Sequence, residues 1–171
     1  MASVKIITNA NLRLNGNSLI GKVEECTLPE IKSKMSEFTA IGMVGSTEYP
    51  SGFEISEMTA TVSGYHSDLL KIVGDPNRVL DLVLRSEVKN HTPSGVATTE
   101  SVVVTTRATC KNMPLGGFKA HERVMQELSF AIFYIKLEIG GQNILEYDPV
   151  ANIYKVDGVD KLQGYRTNLG I

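Results

Sequence analysis

The 171-residue sequence has no tryptophan, two cysteines, three histidines and almost no net charge, with 17 Lys and Arg against 19 Asp and Glu. Each shortage excludes something. Carbohydrate sites rely on exposed aromatics, so a chain without Trp is a poor carbohydrate module. Cys26 and Cys110 admit one disulfide at most and read as two small core residues. His66, His91 and His121 lie far apart and lack ligand spacing with either cysteine, which argues against zinc. A net charge of −2 leaves no basic excess for gripping phosphates, so a dedicated nucleic-acid binder is excluded. No run approaches the ~18 apolar residues that span a bilayer, and Met1-Ala2-Ser3-Val4-Lys5-Ile6-Ile7-Thr8 lacks the apolar stretch of a secretion signal. The expectation is one domain, residues 1–171, without membrane insertion, that stays in the compartment that makes it.

What is present is strand signal. Asn15-Gly16 between Leu12-Arg13-Leu14 and Ser18-Leu19-Ile20 predicts a tight hairpin. Residues 22–28 read as a strand ended by Pro29, and residues 31–38 as a second, with Ile31, Ser33 and Met35 on one face. Residues 40–53 mix Gly42, Gly45, Pro50 and Gly52 with Met43, Val44, Tyr49 and Phe53. Such an apolar, glycine-rich stretch predicts an extended arm covered by something, with packing on its own core as the alternative. Residues 66–74 read as a helix with Ser67 as N-cap, Leu69, Leu70 and Val73 on one face, and Gly74 closing it. Residues 79–84 are apolar on both faces apart from Asp81, which predicts a central strand covered on both sides.

Thr92-Pro93-Ser94 marks a surface turn before residues 101–111, where Val102, Val104, Ala108 and Cys110 share an inner face. Between 122 and 139 the apolar residues change parity, from Val124, Leu128, Phe130 and Ile132 to Phe133, Ile135, Leu137 and Ile139. A strand has two faces, so the change predicts a bulge, or burial of both faces near Ile132. A weaker change separates Phe53 and Ile55 from Met58, Ala60 and Val62. Gly116-Gly117 and Gly140-Gly141 read as hairpin turns. The pattern as a whole predicts a mainly β sandwich or barrel with one short helix and possible space for a second near the C-terminus, where Val159, Leu162 and Arg166 take helical spacing.

No reactive constellation assembles. Gly42-Met43-Val44-Gly45-Ser46 lacks the Lys-Ser/Thr of a phosphate loop, and Glu146, Asp148, Asp157 and Asp160 do not follow the spacing of a calcium loop. The reading is therefore a non-enzyme, with no catalytic, cofactor-binding or metal-ligating residues. One charge feature remains. Glu37, Glu48, Glu54, Glu57 and Asp68 occupy a window without a single Lys or Arg, the mark of a solvated acidic face or of a surface that repels a polyanion or meets a basic partner.

Tyr134-Ile135-Lys136-Leu137-Glu138-Ile139-Gly140-Gly141, then Glu146-Tyr147-Asp148, Asn152, Gly158-Val159-Asp160-Lys161-Leu162, Arg166 and Leu169-Gly170-Ile171 closely resemble the end of FII-type major tail tube proteins. Leu14-Asn15-Gly16, Gly21, Thr27-Leu28-Pro29-Glu30-Ile31 and Gly42-Met43-Val44-Gly45-Ser46 extend the resemblance through the N-terminal half, while residues 89–120 stand outside it. Proteins of that family build the inner tube of contractile phage tails and of R-type pyocins. The resemblance implies two packed antiparallel sheets with a flanking helix at about 67–73, six copies closing into a ring, and rings stacking into a tube in the virion tail after assembly in the host cytoplasm. It implies as partners a second copy, the tail sheath, the tape-measure protein, baseplate and tail-terminator proteins, and transient non-specific contact with passing DNA. A tube subunit of a phage-derived bacteriocin or injection apparatus without DNA is the alternative.

On that basis Met43, Val44, Tyr49 and Phe53 in the 40–53 arm and Arg166, Leu169 and Ile171 at the C-terminus are candidate contacts between subunits or rings. Glu37, Glu48, Glu54 and Glu57 are candidates for a channel wall that DNA slides past.

Overall fold

In a computed structural model, which describes residues 4–93, 95 and 98–171, strands β1 (Val4–Leu14), β2 (Asn17–Ser18), β3 (Val23–Thr27), β4 (Ile31–Phe38), β5 (Thr47–Ile55) and β6 (Met58–Ser63) precede helix α1 (Ser67–Val73). Strands β7 (Leu80–His91), β8 (Thr98–Asn112), β9 (Met125–Ile139), β10 (Gln142–Asp148), β11 (Ile153–Val156) and β12 (Val159–Asp160) follow, and helix α2 (Gln163–Leu169) ends the fold. The main sheet runs β12-β11-β10-β9-β8-β7-β1-β2, all antiparallel.

Strand β9 divides this sheet into two layers. Its first half, Met125 to Phe130, pairs with β6, which in turn pairs with β3; its second half, Ile135 to Ile139, pairs with β10. The change of partner coincides with the predicted change of parity. Arg107 pairs with Tyr134 and Ala108 with Ile132, so Phe133 is the extra residue of a bulge. Before it Gln126, Leu128, Phe130 and Ile132 are buried; after it Ile135 is. The bulge turns Phe133 outward, 41% exposed. The parity change at 53–62 has another origin: β5 ends at Ile55 and β6 starts at Met58, so two strands had been read as one.

The two layers enclose one core. A row of paired residues, Leu14, Leu82, Thr106, Ile135, Tyr147 and Tyr154, crosses six strands on its inner face. The second layer supplies Met58, Ala60 and Val62. Contact across the core is direct: the Thr106 hydroxyl lies 3.9 Å from Met58 Sδ and also donates to the Leu82 carbonyl at 3.3 Å, so this buried polar group is satisfied. On the far side β1 and β3 face each other across a cleft of about 350 Å³ lined by Ile7, Ala10, Cys26, Leu28 and Val102. Both cysteines are free, and burial pushes both thiols up, Cys26 to about 11, as expected of small core residues.

Several local expectations are corrected by geometry. Asn15 (φ 48°) and Gly16 (φ 85°) form the tight turn, as predicted. Helix α1 buries Leu69 and Val73, but its N-cap is His66, and Ser67 lies inside the first turn. The strand predicted over 79–84 is central, between β8 and β1, but its outer face is only partly covered: Leu80 and Leu82 are buried, while on the other face Asp81 is exposed and Val83 half-buried. Gly140-Gly141 makes the β9–β10 turn, whereas Gly116-Gly117 belongs to a longer connection between β8 and β9. There Gly116 is required twice over, by φ 81° and because a Cβ would stand 2.7 Å from Val124 Cγ1. The turn at Thr92-Pro93 carries a 2.9 Å bond from Gly95 N–H to the Thr92 carbonyl, and Ser94 lies outside the described residues. Among the described residues no helix is long and apolar enough to cross a membrane.

Candidate assembly surfaces

Among the described residues, strands β4 and β5 pair only with each other and stand apart from the main sheet. The predicted arm is therefore longer and more regular than a loop over 40–53. Residues 31–55 form a hairpin, and only 39–46 connect its strands. Pro50 and Gly52 sit inside β5, which tolerates them because its outer edge has no ladder to interrupt. Ser51 is bulged between Lys34 and Met35, and its hydroxyl donates to the Lys34 carbonyl at 3.0 Å.

The hairpin root is anchored and its tip is bare. Ile31, Phe53 and Ile55 pack against the core, and the Phe53 ring stacks on Tyr154 at 4.3 Å and meets Tyr147 edge-on at 5.9 Å. Phe53 thus packs on its own chain, the alternative reading for this segment. Met43, Val44 and Tyr49 are exposed, as are Phe38 and Ile41 beside them. A two-stranded hairpin with apolar side chains in water is marginal by itself. Beyond the root, Phe38 and Tyr49 meet edge-on at 6.2 Å.

Register separates the four carboxylates. Glu37 pairs with Glu48, on the hairpin face that carries Met35 and Phe53; Glu54 pairs with Lys32, on the opposite face beside Lys34. Glu57 lies beyond the hairpin, with an oxygen 2.9 Å from Lys111 Nζ. The four candidates for a channel wall thus divide into a pair of like charges, a charge-balanced face and an ion pair. The directly opposed Glu37 and Glu48 cost stability in the isolated subunit.

At the C-terminus Val159 belongs to β12 and Leu162 is the N-cap of α2, so the helical stripe through Val159, Leu162 and Arg166 is not formed. Arg166 turns back on its own chain, donating to the Asn152 carbonyl at 2.7 Å and to the Asp160 carboxylate. It is a latch, while Leu169 and Ile171 are exposed. The Arg166 hydrogen bond, joined by the Leu162 N–H, holds the Asp160 carboxyl below its ordinary range. A depressed folded-state pKa contributes stability above the ordinary carboxylate range that is lost as pH falls through the folded value. Amide protection across residues 163–169, the observed exchange rate against the intrinsic rate at each pH, is therefore expected to fall below about pH 4 ahead of protection in β7 and β8. Asp160→Asn is expected to remove this early step.

Two features escaped the sequence reading. Val4, Ile6 and Ile7 are exposed along β1, whose outer edge has no strand partner before Arg13 among the described residues. Alternation alone cannot distinguish a covered strand from an edge. On the outer face of β9, the Arg107 guanidinium lies 4.6 Å from the Tyr134 ring centre, and the Tyr134 hydroxyl donates to Glu146 at 3.2 Å. Burial, then Glu146, pushes Tyr134 up to about 12. Burial would raise Glu146 as well, but hydrogen bonds from Lys155, Asn143 and Tyr134 outweigh it and leave the carboxyl low. This is a rigid polar network rather than a reactive one. No group of His, Cys, Asp and Glu among the described residues could hold a metal ion.

Comparison with known proteins gives concordant matches. The profile of the family described as phage tail tube protein FII matches residues 4–170. A tail tube protein of Escherichia phage P2 is 26% identical over 173 residues, covering all of both chains. Among solved structures, a chain of the anti-feeding prophage baseplate, a six-fold symmetrised cryo-EM structure, superposes with a TM-score of 0.53 at 9% identity, covering 75% of this chain and 90% of that one. A type six secretion system protein superposes with a TM-score of 0.50 at 12% identity, covering 85% and 98%.

Proposed function

Because this chain belongs to the phage tail tube protein FII family, and so has a structural rather than an enzymatic role, we propose that it assembles into six-membered rings stacked as the inner tube of a contractile tail. The observation that carries the reading is the β4–β5 hairpin, which a lone subunit leaves exposed on both faces beyond its root. Burying it in a neighbour removes apolar surface from water and separates no structural element from the core. In this reading Met43, Val44 and Tyr49 make contacts between subunits or rings, with Leu169 and Ile171 as a second contact. The six-fold number accords with the symmetry of the anti-feeding prophage baseplate, whose chain shares the fold.

The tube would lie in the virion tail, assembled in the host cytoplasm, with the sheath outside it, a tape-measure protein setting its length, baseplate and terminator proteins at its ends, and DNA passing through. Likeness to a type six secretion system protein favours one alternative, a tube that delivers other cargo; capsid genes beside this one would separate the two. Sedimentation velocity tests assembly itself. The expected result is a concentration-dependent fast boundary beside the 18.7 kDa subunit, and a single subunit-sized boundary at every concentration would overturn the proposal.

A further inference from the structure

A half-open recess of about 500 Å³ lies between the hairpin root, the β10–β11 turn and α2, a size ordinary for a ligand site. Pro50 and Phe53 line it from β5, Tyr147 from β10, Pro149 and Asn152 from the turn, and Tyr165 from α2. Its walls are tied in place. The Phe53 ring stacks on Tyr154 and meets Tyr147 edge-on. The Arg166 latch holds α2, and with it Tyr165, to the Asn152 carbonyl at 2.7 Å and to Asp160.

The polar groups of the recess are left unpaired. Tyr147 is only 5% exposed, yet its hydroxyl makes no hydrogen bond within the chain among the described residues. The oxygen keeps contact with solvent and so opens onto the recess that the residue lines. Buried phenols ordinarily find a partner, and one without a partner marks a place for a ligand atom. The Tyr165 hydroxyl and the Asn152 carboxamide are likewise unpaired within the chain among the described residues, and the Tyr165 ring is more than half exposed.

Charge and shape narrow the ligand. No Lys, Arg or His lines the recess among the described residues, whereas Asp148 does, so an anion is disfavoured. The Asp148 carboxylate already accepts from the Val150 and Ala151 N–H groups at 3.0 and 2.9 Å, which commits it to the turn and not to a cation. What remains is a neutral ligand with carbonyl acceptors for the unpaired donors and flat apolar rings for the aromatic walls. A polyproline II segment has both: its carbonyls are unpaired, its rings pack on aromatic faces, and it is extended before it binds. The six prolines of this chain are spread singly along it, so a second copy cannot supply such a segment.

We propose that the recess binds a proline-rich segment of another protein, with proline rings against Phe53 and Tyr165 and the Tyr147 hydroxyl donating to a peptide carbonyl. The site is separate from the hairpin tip and the chain end invoked for assembly, and it stands whether or not the chain forms tubes.

Titrating an acetylated hexaproline peptide into the full-length protein, followed by the ring resonances of Tyr147 and Tyr165, tests the proposal. Saturable binding with a Kd below about 1 mM is expected, with slower amide exchange across residues 163–169. Tyr147→Phe removes the hydroxyl and keeps the ring. Because no internal hydrogen bond is lost, the variant should melt within about 2 °C of wild type and bind at least about fivefold more weakly. Tyr165→Ala, at an exposed ring, should weaken binding at least about tenfold. No binding at about 5 mM peptide, or unchanged affinity in either variant, would overturn the proposal. Equal affinity for a hexaglycine peptide, which offers the carbonyls without the rings, would overturn it as well. A fall in melting temperature of more than about 5 °C in Tyr147→Phe would show that the hydroxyl serves the fold, and would equally overturn it.

Discussion

A chain whose hairpin is cut back, with Asn-Gly joining Lys34 to Gly52, is expected to melt at the wild-type temperature and to form no tubes. Lys34 and Gly52 are cross-strand partners, so a two-residue turn can bridge them. The excision removes Glu37, Phe38, Ile41, Met43, Val44, Glu48 and Tyr49, all exposed, and retains the root residues Ile31, Phe53 and Ile55. Loss of surface residues with few intramolecular contacts changes stability by roughly 0.5 kcal/mol. The same residues supply the proposed subunit contact, so assembly should fall below detection. Tubes of normal length from the shortened chain would show that the hairpin is dispensable. A large drop in melting temperature would show that it belongs to the fold rather than to assembly.

The opposite separation is expected in β9. Phe130 is 2% exposed and sits between Met58 of β6 and Cys110 of β8, where the two layers share one strand. Phe130→Ala leaves a ring-sized hole in a close-packed core and should cost about 3–5 kcal/mol. Against a total of about 5–15 kcal/mol this is a large fraction, and at 171 residues it corresponds to a fall in melting temperature of about 6–20 °C. Phe133→Ala, three residues along the same strand, should shift melting by no more than about 2 °C, because the bulge has turned that ring to the surface. Equal losses from the two substitutions, measured by thermal unfolding, would contradict the placement of the bulge.

That bulge is also the best example of what the residues declare in advance. A strand cannot exchange its faces without an extra residue, so the passage from Phe130 and Ile132 to Ile135 and Leu137 announced an irregularity beside Ile132. Asn15-Gly16 was equally legible, since few pairs accept two successive positive φ angles. The hairpin was half legible. Residues 31–38 matched β4, but Pro50 and Gly52 concealed β5, because edge strands obey weaker rules than central ones.

The candidate surfaces were the least legible, for a related reason. Glu37, Glu48, Glu54 and Glu57 form one cluster in sequence, and only the register of β4 on β5 reveals that Glu54 faces the other way. Phe53 and Tyr49 look alike in a glycine-rich stretch, yet Phe53 meets Tyr147 and Tyr154, residues about a hundred positions away. Arg166 looked like a free contact until Asp160 and the Asn152 carbonyl were seen to hold it. Long-range partners of this kind leave no local pattern.

Electron microscopy of the purified full-length protein at high concentration tests the central claim most directly. The account predicts hollow tubes of stacked rings with six-fold averages in end view. Dispersed single subunits, or closed assemblies without an axial channel, would contradict it.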